Sequence, residues 1–212
     1  MRTLELKTFV LGPLDNNSYL LFDDVSKEAV VIDPSFDPEP VLEAVTRNGL
    51  NLKTILLTHA HFDHIAGTTY LVQMLPARVD LALSSKDALL YKNSGGAGLY
   101  GFSLGDLPEI TMDLFTIRTL YVGQEPVLVK EVPGHTPGHV LFYVPGLEAA
   151  FCGDLIFKGS IGRTDLPGGD TRTILASIRS QVLTLPPETA LYPGHGPATT
   201  VAEEAAHNPF LS

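Results

Sequence analysis

The sequence is poor in basic residues: 14 Lys and Arg against 24 Asp and Glu over 212 residues give a formal net charge of −10. The strongly basic face of a nucleic-acid binder is therefore missing, and no nucleic-acid partner is expected. Cysteine is scarcer still. The single Cys152 cannot close an internal disulfide, which is compatible with a reducing compartment. Apolar runs are all too short to span a bilayer, and the opening MRTLELKTFVLGPLDN has no basic segment leading into an apolar one. No membrane association and a cytoplasmic address are the expectations. Charged residues reach only 18% against 44% apolar, which argues against extended disorder. No linker or low-complexity segment divides the chain, so a single domain over 1–212 is expected.

What is present reads as alternating strands and helices. Residues 4–10, 17–23 and 28–34 have strand composition between Gly, Pro, Asn and Asp. Val41, Leu42 and Val45 predict a helix over 38–48 that stops at Gly49, before the apolar run 54–58. A helix over 65–75, a strand VDLALS and a short helix at about 85–92 follow. The stretch 93–110 has neither period and holds four Gly between 95 and 101. It reads as a surface connection, with Leu99, Tyr100 and Phe102 making an active-site lid the alternative. The second half adds strands VLVKEVP, VLFYVP, AAFCGD and ALYP, a helix TRTILASIRSQVL capped by Asp170, and a last helix near 199–207. Two sheets packed face to face with helices outside fit this order.

Three of the seven His fall within six residues in Thr58-His59-Ala60-His61-Phe62-Asp63-His64. The cluster follows a strand and precedes a helix, the position where α/β sheets build sites. Neutral imidazole with a carboxylate among the donors suits zinc, iron and similar ions. Three further segments place a donor just after a strand: PGHTPGH with His135, FCGD with Asp154 and YPGHG with His195. His139 reads as a packing or supporting histidine, Cys152 as core and His207 as surface.

In this order, His-x-His-x-Asp-His, GHTPGH, CGD and PGHG resemble the metallo-β-lactamase superfamily over essentially the whole chain. The resemblance implies an α/β fold, the αβ/βα four-layer sandwich of two mixed β-sheets. It implies His59, His61 and His135 on one metal, Asp63, His64 and His195 on a second, and Asp154 bridging. A water or hydroxide between the metals is also implied, with Asp63 and Asp154 the catalytic carboxylates. Two divalent ions per chain follow, zinc first, with iron or manganese compatible with the same donors.

The segment FKGSIGRTDLPGGD, 157–170, is similar to short single-domain glyoxalase II-like bacterial enzymes, which resemble hydroxyacylglutathione hydrolases. Through GRTD it also resembles persulfide dioxygenases. The first resemblance implies hydrolysis of a small, anionic thioester, an S-acylglutathione such as S-lactoylglutathione. A thiolate, with a parent pKa of about 8.5, leaves without a dedicated general acid. Arg163, Lys158 and Tyr100 are the substrate-binding candidates, with a salt bridge to Asp165 the alternative for Arg163. Only 17 residues follow His195, so the C-terminal helical domain by which full-length glyoxalase II enzymes hold glutathione is not expected. A mononuclear Fe(II) persulfide dioxygenase, with iron on His59, His135 and Asp154, is the alternative. A metal-binding protein without catalysis is the third reading.

Overall fold

A computed structural model describes residues 4–211. Among these, the first half of the chain builds a six-stranded sheet in sequence order. Its strands are β1 (Leu4–Leu11), β2 (Asn16–Asp23), β3 (Glu28–Ile32), β4 (Asn51–Leu56), β5 (Asp80–Leu83) and β6 (Met112–Asp113). The first two pairings are antiparallel and the rest parallel. Helices α1 (Glu39–Arg47), α2 (Phe62–Ile65), α3 (Thr68–Met74) and α4 (Ala88–Lys92) occupy its crossovers.

The second six-stranded sheet contains β7 (Thr119–Val122), β8 (Glu125–Glu131), β9 (Val140–Val144) and β10 (Ala149–Gly153). After a small hairpin of β11 (Ile156–Phe157) and β12 (Ser160–Ile161), α5 (Thr171–Ser177) leads to β13 (Ala190–Pro193) and β14 (Thr199–Thr200), and α6 (Val201–His207) closes the fold. The strand order is β14-β13-β10-β9-β8-β7, with β10 and β13 parallel.

Strand alternation explains the layers. Tyr19 and Leu21 of β2 and Phe151 of β10 enter an inter-sheet core, whereas Leu20, Phe22 and Cys152, pointing the other way, enter outer cores. Val41 and Val45 of α1 cover the first sheet, and Ile174 of α5 covers the second. The result is the expected helix–sheet–sheet–helix sandwich, with Cys152 buried in the core.

Two local expectations need correction. The helix anticipated over 65–75 starts earlier and is broken between α2 and α3. There Gly67 donates its N–H to the Pro34 carbonyl, 2.9 Å away, a tertiary bond in place of a helical one. The connection 93–110 is not structureless, because Ser94–Tyr100 forms tight 3-10 turns. The short strands β6 and β7 were not legible, being edges with little buried alternation. No helix among the described residues is long and apolar enough to cross a membrane.

Candidate metal centre

The His cluster sits on the turn from β4 into α2. Nε2 of His59 lies 3.1 Å from Nδ1 of His61, which lies 2.8 Å from Nε2 of His135. Three nitrogens thus converge on one point, and His135 comes from the opposite sheet's β8–β9 turn. A second group of donors, Asp63, His64 and His195, gathers beside it. Asp63 Oδ2 is 3.2 Å from His195 Nε2 and 3.6 Å from His64 Nε2.

Asp154, just past β10, stands between the groups. Its Oδ1 is 3.4 Å from His64 Nε2, and its Oδ2 is 3.7 Å from His135 Nε2 and 3.8 Å from His195 Nε2. Both Asp154 Oδ1 and His64 Nε2 are buried without a hydrogen-bond partner among the described residues. Leaving such groups unpaired is costly, and a divalent cation is the partner that carboxylate and imidazole lone pairs share. The donors fit a metal pair.

Supporting groups fix which nitrogen faces inward. His135 Nδ1 donates to the Arg163 carbonyl at 2.8 Å and His195 Nδ1 to the Leu14 carbonyl at 3.0 Å, which leaves each Nε2 as the free lone pair. His64 Nδ1 donates to Asp33 Oδ2 at 2.9 Å. Asp33 also accepts from the Thr58 N–H and hydroxyl at 2.7 and 2.6 Å. Its φ of 49° places a non-glycine residue in the left-handed region, a strain the site's hydrogen bonds must hold. Asn16 Nδ2 donates to Asp63 Oδ2 at 2.9 Å.

Asp87 is a second buried carboxylate that the motifs did not flag. It accepts from the Thr136 hydroxyl at 2.7 Å, the Gly138 N–H at 2.6 Å and the Ala60 N–H at 3.2 Å. It thereby ties the turn carrying His59 and His61 to the turn carrying His135. A Cβ on Gly138 would lie 2.7 Å from this carboxylate, which explains the second glycine of PGHTPGH. Asp33, Asp87 and Asn16 were missed because only their partners, distant in sequence, distinguish them from turn residues.

The site's electrostatics favour a cation. Burial, and next to it His64 and His135, hold His59 well below the usual imidazole range, and burial with His135 lowers His61 to about 3. Burial opposes ionisation of Asp154, yet His64 foremost holds its carboxyl far below the carboxylate range. Asp63 is likewise lowered to about 2 against its burial, chiefly by His64. Burial disfavours charge on His64, but Asp63 and Asp154 raise it well above its ordinary value. Without a metal, the carboxylates thus draw a proton to the place where positive charge is wanted.

His139 is buried and stacked on His59 at 4.8 Å, outside both donor groups, and His207 is exposed near Glu203. Arg163 and Tyr100 line the cavity above the donors; Lys158 is exposed and does not. The fork of Arg163 makes two 2.8 Å bonds to Asp165.

An αβ/βα sandwich with a paired His and Asp centre at the strand ends defines the class: metal-binding proteins of the hydrolase type. Residues 11–195 match the metallo-β-lactamase superfamily, to which the chain belongs. It is 36% identical to the hydroxyacylglutathione hydrolase GloC of Haemophilus influenzae, covering 99% of each chain. The di-iron-bound form of TTHA1623 superposes with a TM-score of 0.86 at 41% identity, over 97% of this chain and 100% of that one. The B3 metallo-β-lactamase BLEG-1 gives 0.90 at 37%, over 98% and 100%.

Proposed function

We propose that this chain is a dinuclear metal-dependent thioester hydrolase, glyoxalase II-like, with S-acylglutathiones such as S-lactoylglutathione among its substrates. The observation that carries the reading is the Asp154 carboxylate between two donor groups, 3.4 Å from His64 and 3.7 Å from His135. His59, His61 and His135 would hold one ion, Asp63, His64 and His195 the other, with Asp154 shared. Zinc is assigned first. Two divalent ions held there supply Lewis acidity and lower the pKa of a bound water toward about 7. The likeness to GloC, named a hydroxyacylglutathione hydrolase, supports the choice of thioesters.

The chain's own residues supply the rest. Asp63 and Asp154 stay ionised at neutral pH, so they provide fixed negative charge and acceptor oxygens that orient the attacking water. Leu14, Phe62 and Leu99 line the cavity above the donors, so the reacting carbonyl meets apolar neighbours there. Hydrolysis forms one C–O bond and breaks the C–S bond, and the sulfur departs as thiolate, so no side chain need donate to it.

The test gives purified, metal-analysed protein S-lactoylglutathione, glutathione persulfide and a chromogenic β-lactam in parallel. Thiol release with two metals per chain is expected. Oxygen uptake on persulfide with one iron and no thiol release, or β-lactam turnover alone, overturns the proposal. Asp154→Ala should lose paired metal binding and at least 100-fold in kcat/KM.

A further inference from the structure

The cavity above the donors has a volume of about 380 Å³, enough for a small-molecule arm beyond a reacting carbonyl. Its floor is made by His61, Asp63, His135, Asp154 and His195, and its walls are apolar. Leu90, Leu99, Tyr100 and Phe102 form one wall, Leu14 a second, and Leu166 with Pro167 a third. Phe62 backs the first, stacked on Tyr100 at 5.1 Å and on Phe102 at 5.4 Å.

Each wall is fastened to a donor. The Leu14 carbonyl accepts from His195, and the Arg163 carbonyl, three residues before Leu166, accepts from His135. Gly95, at φ 61°, lies so close to the Ala60 carbonyl and the Phe62 N–H that a Cβ would overlap both. The base of the 94–100 turns is thus docked on the His59–His64 segment, while Leu99 at their tip is 80% exposed. Fixed, solvent-facing apolar walls gain free energy only when an apolar group covers them.

Charge on the walls points the same way. Among the described lining residues, Arg163 is the only Lys or Arg, and its bidentate face is taken by Asp165. A glutathione arm would bring two carboxylates and an ammonium, and apart from Arg163, paired with Asp165, the described lining has no Lys or Arg to meet the carboxylates.

We infer that the cavity selects thioesters whose arm beyond the scissile bond is uncharged and apolar, aliphatic or aromatic, with Leu99 and Leu14 as specificity-determining residues. This rests on the thioesterase reading and narrows it, ranking apolar-arm thioesters above glutathione thioesters.

The test holds the acyl group constant and compares lactoyl thioesters of benzyl mercaptan and of glutathione on the zinc-loaded protein. The benzyl thioester is expected to have at least tenfold higher kcat/KM. Leu99→Ser and Leu14→Ser, both at exposed positions, should lower that value about five- to tenfold through KM, with a smaller loss on the glutathione thioester. Equal or better use of the glutathione thioester, or an equal effect of Leu99→Ser on both, overturns the inference. Should neither thioester be cleaved, the thioesterase reading fails, and calorimetry with the two free thiols decides the cavity's preference. Tighter binding of benzyl mercaptan, weakened by Leu99→Ser, supports it; equal or tighter binding of glutathione overturns it.

Discussion

Asp87 shows how one side chain can govern a site it does not enter. Burial pushes its carboxyl above the usual range, and the Thr136, Gly138 and Ala60 donors work against that push. Truncation would strand these buried donors, each costing on the order of 1–3 kcal/mol. Asp87→Ala is therefore expected to destabilise the metal-free protein by about 3 kcal/mol. It should also weaken metal binding at His59, His61 and His135, because their two turns lose their common acceptor. Urea unfolding and metal titration check both, with Asp87→Asn, which keeps one acceptor oxygen, falling between. Wild-type metal affinity in Asp87→Ala would remove Asp87 from this role. Arg163 teaches a related lesson. Its type and position offered two readings, and only the 2.8 Å pair with Asp165 shows which partner its fork holds.

Elements were legible where their signals are local. The Asp170 cap was visible as Asp before a helical period, and its Oδ1 accepts the Thr173 N–H at 2.7 Å. The Thr173 hydroxyl first, and then this N–H bond, hold the Asp170 carboxyl below its ordinary value. The folded pKa lies below the unfolded value, so the stabilisation is present above about pH 3.9 and is lost as pH falls through the folded pKa. Asp170→Ala is expected to lower the thermal midpoint by a few degrees at pH 7, and the gap should close in acid. An unchanged gap at low pH would assign the effect to packing. The 94–100 turns were illegible for the opposite reason. Their glycines look like a loose connection until Gly95 is seen against Ala60 and Phe62, a contact between segments more than thirty residues apart.

At the scale of the molecule, both donor groups cross the sandwich. His59, His61, Asp63 and His64 follow the first sheet's β4, while His135, Asp154 and His195 follow strands of the second. Metal held by these donors would therefore staple two halves whose other ties include Asn17 to the Gly194 carbonyl and Tyr19 to the Pro193 carbonyl. Chelation is expected to lower the thermal midpoint by roughly 5–10 °C, the size of a few kcal/mol of linked binding in a chain this long. Scanning with and without chelator, followed by zinc restoration, checks it. A midpoint indifferent to metal would mean that the halves are closed by packing alone.

The sequence by itself determined the candidate donors and the order of the main elements. Metal affinity resides in side-chain type, and strand and helix periods are written in neighbouring residues. Tertiary structure alone decided that Asp33 and Asp87 serve the donors, that Arg163 is paired, and that Leu14, Leu99 and Leu166 face one cavity. Those properties depend on which buried group meets which partner and which apolar side chain is left uncovered, and both follow from contacts between segments far apart in the chain.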